Sequence, residues 1–240
     1  DFMVEQSRLA GDLRDALRRV PDLDRALSRL SLERGGPRDL AAIRNGLVQA
    51  DLISKDLNGE MPLLLATAAK DFVGHDGLIT LFEEALTAEP PLLVRDGGFV
   101  ASGFDAELDE MRQLRDEGRS VIAKMQQEYA DEAGVSSLKI KHNNVLGYFI
   151  EVTSAHSDKF LAPPLNERFK HRQTTANQLR FTTPELGEME TRILNAGGRA
   201  LDIEKRIFES LRLEVLASAA RINATSRALA EFDLAAALAD

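Results

Sequence analysis

The residues best suited to chemistry in this chain are basic, and they are concentrated. Residues 138–181 hold seven Lys or Arg (Lys139, Lys141, Lys159, Arg168, Lys170, Arg172 and Arg180) against three acids (Glu151, Asp158 and Glu167). That segment carries +4, so the rest of a chain with net charge -9 carries -13. Three of the four His (His142, His156 and His171) lie in it too. Arg presents a fork of charge-assisted donors and Asn or Gln presents neutral ones, so this mixture suits phosphate. Exposed charge is also the commonest surface feature, and on the residues alone a solvated basic face is the favoured reading.

Other chemistries find little footing. The chain has no Cys, which removes thiol catalysis, disulfides and thiolate metal sites. His75 is remote from the other three His, and no His-x-x-x-His or His-Glu-x-x-His spacing occurs. Glu83-Glu84 and Asp109-Glu110 sit at adjacent positions of helical patterns, where side chains point in different directions, so they read as solvated surface. Gly97-Gly98 reads as a turn, because a phosphate cradle needs a helix N-terminus behind it. No run of about 18 apolar residues is present, so no membrane helix is expected, and the first residues lack the apolar block of a signal peptide.

The elements that position the basic segment are mostly helical. One apolar pattern runs through Leu13, Leu17 and Val20 to Pro21, and a second covers residues 23–32 and stops at Gly35-Gly36. Pro37 suits the first turn of a third helix, which carries Leu40, Ile43, Leu47 and Val48 on one side. Helix follows over residues 62–88, divided by Gly74 and Gly77. Pro90-Pro91 and Asp96-Gly97-Gly98 then predict a small hairpin or irregular loop. A long helix starts near Asp105 and runs to about residue 130.

From Leu138 the period changes to two. Residues 138–142 alternate, Asn143-Asn144 is a turn signal, and residues 145–153 are rich in strand formers. Lys139 and Lys141 share one strand face, opposite Leu138 and Ile140, while Tyr148 and Phe149 point opposite ways. Residues 172–175 and 179–183 form a second hairpin around residues 176–178, completing a four-stranded antiparallel unit. Thr183-Pro184-Glu185 is a helix start, with a capping hydroxyl, Pro at the first position and an acid in the first turn. Apolar residues at threes and fours from Leu186 to Phe232 predict one return helix of roughly 50 residues, about 75 Å long. It needs a partner along its length, and the helix from Asp105 is the available one. Gly197-Gly198 within it suggests a bend or a close helix contact, or else a tolerated local weakening of the helix. The fold expected is mainly α with a small inserted antiparallel β domain: a long antiparallel helix pair carrying a four-stranded tip.

The tip carries a family resemblance. The run from Leu138-Lys139-Ile140-Lys141-His142-Asn143-Asn144 through Gly147-Tyr148-Phe149-Ile150-Glu151-Val152 closely resembles the first strand pair of the clamp of MutS-type DNA mismatch-repair proteins. Arg172-Gln173-Thr174, Asn177, Arg180-Phe181 and Pro184-Glu185-Leu186 resemble the second clamp segment and return helix. Pro37-Arg38-Asp39-Leu40 and Val94-Arg95-Asp96-Gly97-Gly98 are similar to the family's lever domain. The similarity is colinear over nearly the whole chain.

The resemblance implies a discontinuous helical lever at residues 1–131 and 184–240 and an inserted β clamp at residues 132–183. It implies that the clamp grips duplex DNA by its backbone, without reading sequence, and that the lever couples it to an ATPase. Arg172, Asn177 and Arg180 lead the expected DNA contacts, followed by Lys139, Lys141, Lys170, Gln173, Thr174, Thr175 and Ser154. No Gly-x-x-x-x-Gly-Lys-[Ser/Thr] loop occurs, so this stretch is expected to be a non-catalytic fragment without ATP or magnesium of its own, those belonging to the ATPase domain elsewhere in the family. Homodimerisation of the full-length protein, a cytoplasmic, nucleoid-associated setting and no membrane contact are the further expectations. The competing reading is a helical scaffold whose basic tip binds an acidic protein.

Overall fold

A computed structural model describes residues 2–57 and 59–238. The helices of the first half are α1 (Phe2–Glu5), α2 (Ser7–Leu17), α3 (Leu23–Ser31), α4 (Pro37–Asp56), α5 (Leu63–Ala68) and α6 (Asp76–Ala85). Then come α7 (Ala106–Ala133), β1 (Lys139–Asn143), β2 (Gly147–Thr153), α8 (Ser157–Leu161), α9 (Leu165–Arg168), β3 (Lys170–Thr174) and β4 (Gln178–Thr182). Two helices, α10 (Pro184–Ala217) and α11 (Ala219–Ala237), close the chain. The class is the one expected, mainly α with one small antiparallel sheet. No helix among the described residues is long and apolar enough to cross a membrane.

The chain divides into two compact units, one of residues 1–104 and 203–240, the other of residues 105–202. Among the first unit's described residues the regular structure is helical, apart from one isolated bridge, Leu86 to Val100. Leu23, Ala26, Leu27 and Leu30, spaced three and four apart, bury one face of α3, and the Asp22 carboxylate caps it by accepting from Arg25 N–H at 2.9 Å. Pro37 opens α4, as expected, and Asp39 secures that start by accepting from Gly36 N–H at 2.8 Å and from Arg29 Nε at 3.1 Å. The core of the unit gathers Phe72, Phe82, Phe99 and Phe232, with the Phe72 and Phe232 rings 5.0 Å apart.

The segment after Pro62 departs in detail from its expected pattern. Gly74, at φ 87°, divides it, whereas Gly77 lies within the first turn of α6 and breaks nothing. Residues 89–100 form an irregular loop with one 3-10 turn, Val94–Asp96.

In the second unit the sheet lies between the two long helices in chain order. Their contacts run in opposite order along the chain: Arg199 pairs with Glu107, Ile193 lies against Gly118, and Thr183 bonds Tyr129. The pair is therefore antiparallel. α10 stays one helix through Gly197-Gly198; a Cβ on Gly198 would meet nothing within 4 Å, and one on Gly197 would make only an ordinary contact, 3.9 Å from Arg115 Cδ. The close approach is at Gly118, where an added Cβ would sit 2.5 Å from Ile193 Cγ1. The expected single return helix is two helices, because the chain turns at Ser218. At 1.5 Å per residue, the 34 residues of α10 span about 50 Å.

Candidate nucleic-acid interface

The sheet is antiparallel throughout, in the order β1-β2-β4-β3. Local sequence fixes each turn. Asn143 Oδ1 accepts from the N–H groups of Val145 and Leu146 at 2.9 and 2.8 Å, and Gly147 takes φ 69° to enter β2. At the other end, Thr175 N–H donates to Gln178 O at 2.8 Å, and Ser154 N–H donates to Asn177 O at 3.0 Å.

Alternation along the strands then sorts the side chains. Ile150, Val152, Leu179 and Phe181 form the buried face. Phe160 and Leu165 of α8 and α9, with Phe169 just beyond, cover that face, the Phe160 ring lying 5.2 Å from Phe181 and 5.1 Å from Phe169. Phe149, Glu151 and Arg180 share the opposite face.

On that face a polar ribbon crosses all four strands. Lys141 Nζ of β1 donates to Glu151 Oε1 of β2 at 2.6 Å. Glu151 Oε2 accepts from Arg180 Nε of β4 at 3.1 Å. Arg180 Nη1 donates to Gln173 Oε1 of β3 at 2.8 Å. Phe149 lies beneath, its ring centroid 4.6 Å from the Arg180 guanidinium carbon. Burial pushes the Glu151 carboxyl up, but hydrogen bonds and charge from Lys141 and Arg180 outweigh it and hold the group below the usual carboxylate range.

The expected contact residues separate into groups. Lys141, Gln173 and Arg180 belong to the ribbon. Ser154, Thr174, Thr175 and Asn177 cluster where β2 ends and β3 turns into β4, and Ser154, Thr174 and Asn177 are exposed. Lys139 and Lys170 begin the two edge strands and are exposed. Arg172 sits in a bulge: His171 pairs with Phe181 and Gln173 with Arg180, which leaves Arg172 outside the ladder and its side chain exposed. Among the described residues, Lys139 and Arg172 have no acidic partner. Arg168 is different, because its guanidinium bridges Glu132 and Glu185 and lies 5.1 Å over the Tyr129 ring.

Two members of the arrangement were not among the expected contacts. Glu151 entered the reading of the sequence as one of three acids offsetting the local charge, yet it is 5% exposed and joins two cations. Its signal is its place as the lone charged residue of β2. Phe149, at i−2 from Glu151, belongs to the same face as the ribbon rather than to the Phe181 core.

Comparison with known proteins adds a frame. A family model described as "MutS family domain IV" matches residues 103–199, nearly the span of the second unit. Over 99% of its length the chain is 65% identical to the DNA mismatch repair protein MutS of Roseobacter denitrificans, covering 27% of that protein. It is 64% identical over its full length to the MutS of Ruegeria pomeroyi and 65% identical over 99% of its length to that of Paracoccus denitrificans, covering 28% and 27% of them. The chain thus spans a little over a quarter of the curated relatives it matches.

Proposed function

Because the chain belongs to the MutS family of DNA mismatch-repair proteins and includes its domain IV region, we propose that the sheet of the second unit grips the backbone of duplex DNA. The carrying observation is the set of cations and polar side chains along one sheet: Lys139 and Lys141 on one edge strand, Arg172 and Gln173 on the other, Arg180 on a strand between them, and Asn177 with Ser154 at the turn. Guanidinium, ammonium and amide donors suit phosphate oxygens, which are the same at every base step.

In this reading residues 132–183 are the clamp, and residues 1–131 and 184–240 are the helical lever. The lever relays the clamp's position to the parts of the longer relatives outside this chain, where ATP, magnesium and catalysis belong. Two clamps of a homodimer enclose the duplex, and contact multiplies because the second clamp binds at high effective concentration. A lone chain therefore grips weakly.

The test is anisotropy of a labelled duplex, matched and mismatched, titrated with the 240-residue chain across a salt series. Expected is weak binding, equal for the two duplexes, that falls linearly with the logarithm of salt. Binding indifferent to salt, or none at low salt, overturns the proposal in favour of an acidic protein as the tip's partner.

A further inference from the structure

The ribbon poses a problem of sign. A surface that holds phosphate gains by shedding acid, yet Glu151 lies buried in its most basic row. A carboxylate there repels phosphate and has also been taken out of water.

The geometry around Arg180 accounts for it. Glu151 holds Nε, Gln173 holds Nη1, and Phe149 supports the guanidinium plane from below. These contacts fix the plane from three sides while using two of its five N–H groups. Nη2 and the second Nη1 hydrogen remain on a side chain that is 22% exposed. An arginine already fixed loses less rotamer freedom on taking a phosphate than one that swings in solvent. The same carboxylate tethers Lys141, whose side chain is half exposed, beside it.

We infer that Glu151 is a positioning residue for phosphate binding, a buried acid that presents Arg180, and through it the ribbon, to the DNA backbone. The inference rests on the backbone-grip reading of the sheet and assigns a role within it to a residue that touches no DNA. It runs against simple charge counting, which makes Glu151 an inhibitor of binding whose loss strengthens the grip.

The opposite signs make the test decisive. The 240-residue chain is titrated into a labelled matched duplex over a salt series as wild type, Glu151→Gln, Arg180→Ala and the double variant, with circular dichroism confirming the fold of each. Glu151→Gln is expected to weaken binding about three- to tenfold at every salt concentration, although the chain becomes one charge less negative. The double variant is expected to bind no more weakly than Arg180→Ala, since Glu151 acts through Arg180. Gln173→Ala, a change at an exposed residue, gives a second reading should Glu151→Gln fail to fold. It too is expected to weaken binding, and to weaken it less in the Arg180→Ala background, where only its own amide contact is left to lose. Tighter binding by Glu151→Gln, or weakening of full size by either substitution in the Arg180→Ala background, overturns the inference alone. No binding by the wild-type chain at low salt overturns the backbone grip and this inference together.

Discussion

The Tyr129 hydroxyl and Thr183 Oγ1 meet at 2.6 Å, tying the last turn of α7 to the cap of α10 where the chain leaves the sheet. Thr183 is 1% exposed and also accepts from Leu186 N–H at 3.2 Å, so one hydroxyl both starts a helix and closes the base of the sheet. Burial raises the Tyr129 phenol above its ordinary value, which keeps it neutral at any working pH. Removing the phenol hydroxyl with Tyr129→Phe is expected to cost about 1 kcal/mol. Thr183→Ala removes the cap and leaves the phenol unpaired, for about 1–2 kcal/mol, and Thr183→Ser restores most of it. Urea midpoints of the three variants measure this, and an unchanged midpoint for Thr183→Ala would sink it.

The Glu151 carboxyl predicts a dependence on pH. Its folded-state value is held below the ordinary range, so its stabilising effect is fully present above about pH 4.3 and fades as pH falls through the folded value. At neutral pH, Glu151→Gln is expected to cost about 1–3 kcal/mol, less than a fully buried pair because Lys141 is half exposed. Below pH 4 the gap between variant and wild type should narrow. Thermal midpoints from pH 7 to pH 3 test it, and a constant gap would falsify the assignment.

Arg168 and Arg172 lie four residues apart and have opposite circumstances. Arg168 is spent on Glu132 and Glu185, whereas Arg172 stands outside the β ladder and exposed. Arg172→Ala is therefore expected to weaken duplex binding and to lower the slope against log salt by about one. Arg168→Ala should leave that slope unchanged and lower stability instead. Equal slopes for all three proteins contradict the assignment of Arg172 to phosphate.

Gly118 permits a close approach of α7 to α10. Alanine there gains helix propensity of about 1 kcal/mol over glycine. Its Cβ, however, falls 2.5 Å from Ile193 Cγ1 and 3.4 Å from Met189 Sδ. Gly118→Ala is thus expected to destabilise the wild-type chain and to stabilise an Ile193→Ala chain, where the obstructing atoms are gone. The same sign in both backgrounds would refute this packing.

How much of this was legible in the sequence follows from which forces are local. The four strands and the start of α10 were legible because alternation, Asn143-Asn144 and Thr183-Pro184 act on their own neighbourhoods. Intrinsic propensity does not show how near a helix face has a neighbour: Gly197-Gly198 has only an ordinary contact or open space beside it, and Gly118 is the position with a tight one. α8 and α9 are not legible because Pro163-Pro164 interrupts any period, although Phe160, Leu165 and Phe169 join the core on the sheet's buried face. Glu151 was counted as charge, and only strand register brings it between Lys141 and Arg180. The bulge that leaves Arg172 outside the ladder likewise depends on pairing with β4.

In the first unit, His75 offers a second titration, with the opposite origin. It is 5% exposed, and its Nε2 lies 2.8 Å from Thr225 Oγ1, which also reaches the Asp71 carbonyl at 2.6 Å. Burial, and then the charge of Arg221, push its pKa below the ordinary histidine value, against smaller opposing effects of Asp71 and Asp76. The unfolded chain therefore takes up a proton near pH 6.5 that the folded one refuses, and stability falls as pH drops below that point. The loss levels off only below the folded value. His75→Gln keeps an amide within reach of Thr225 and has no proton to gain, so its urea midpoint should fall less than the wild type's between pH 7.5 and pH 5. Parallel curves for the two proteins would mean that His75 titrates alike in the folded and unfolded chains, and that its burial has no consequence for pH.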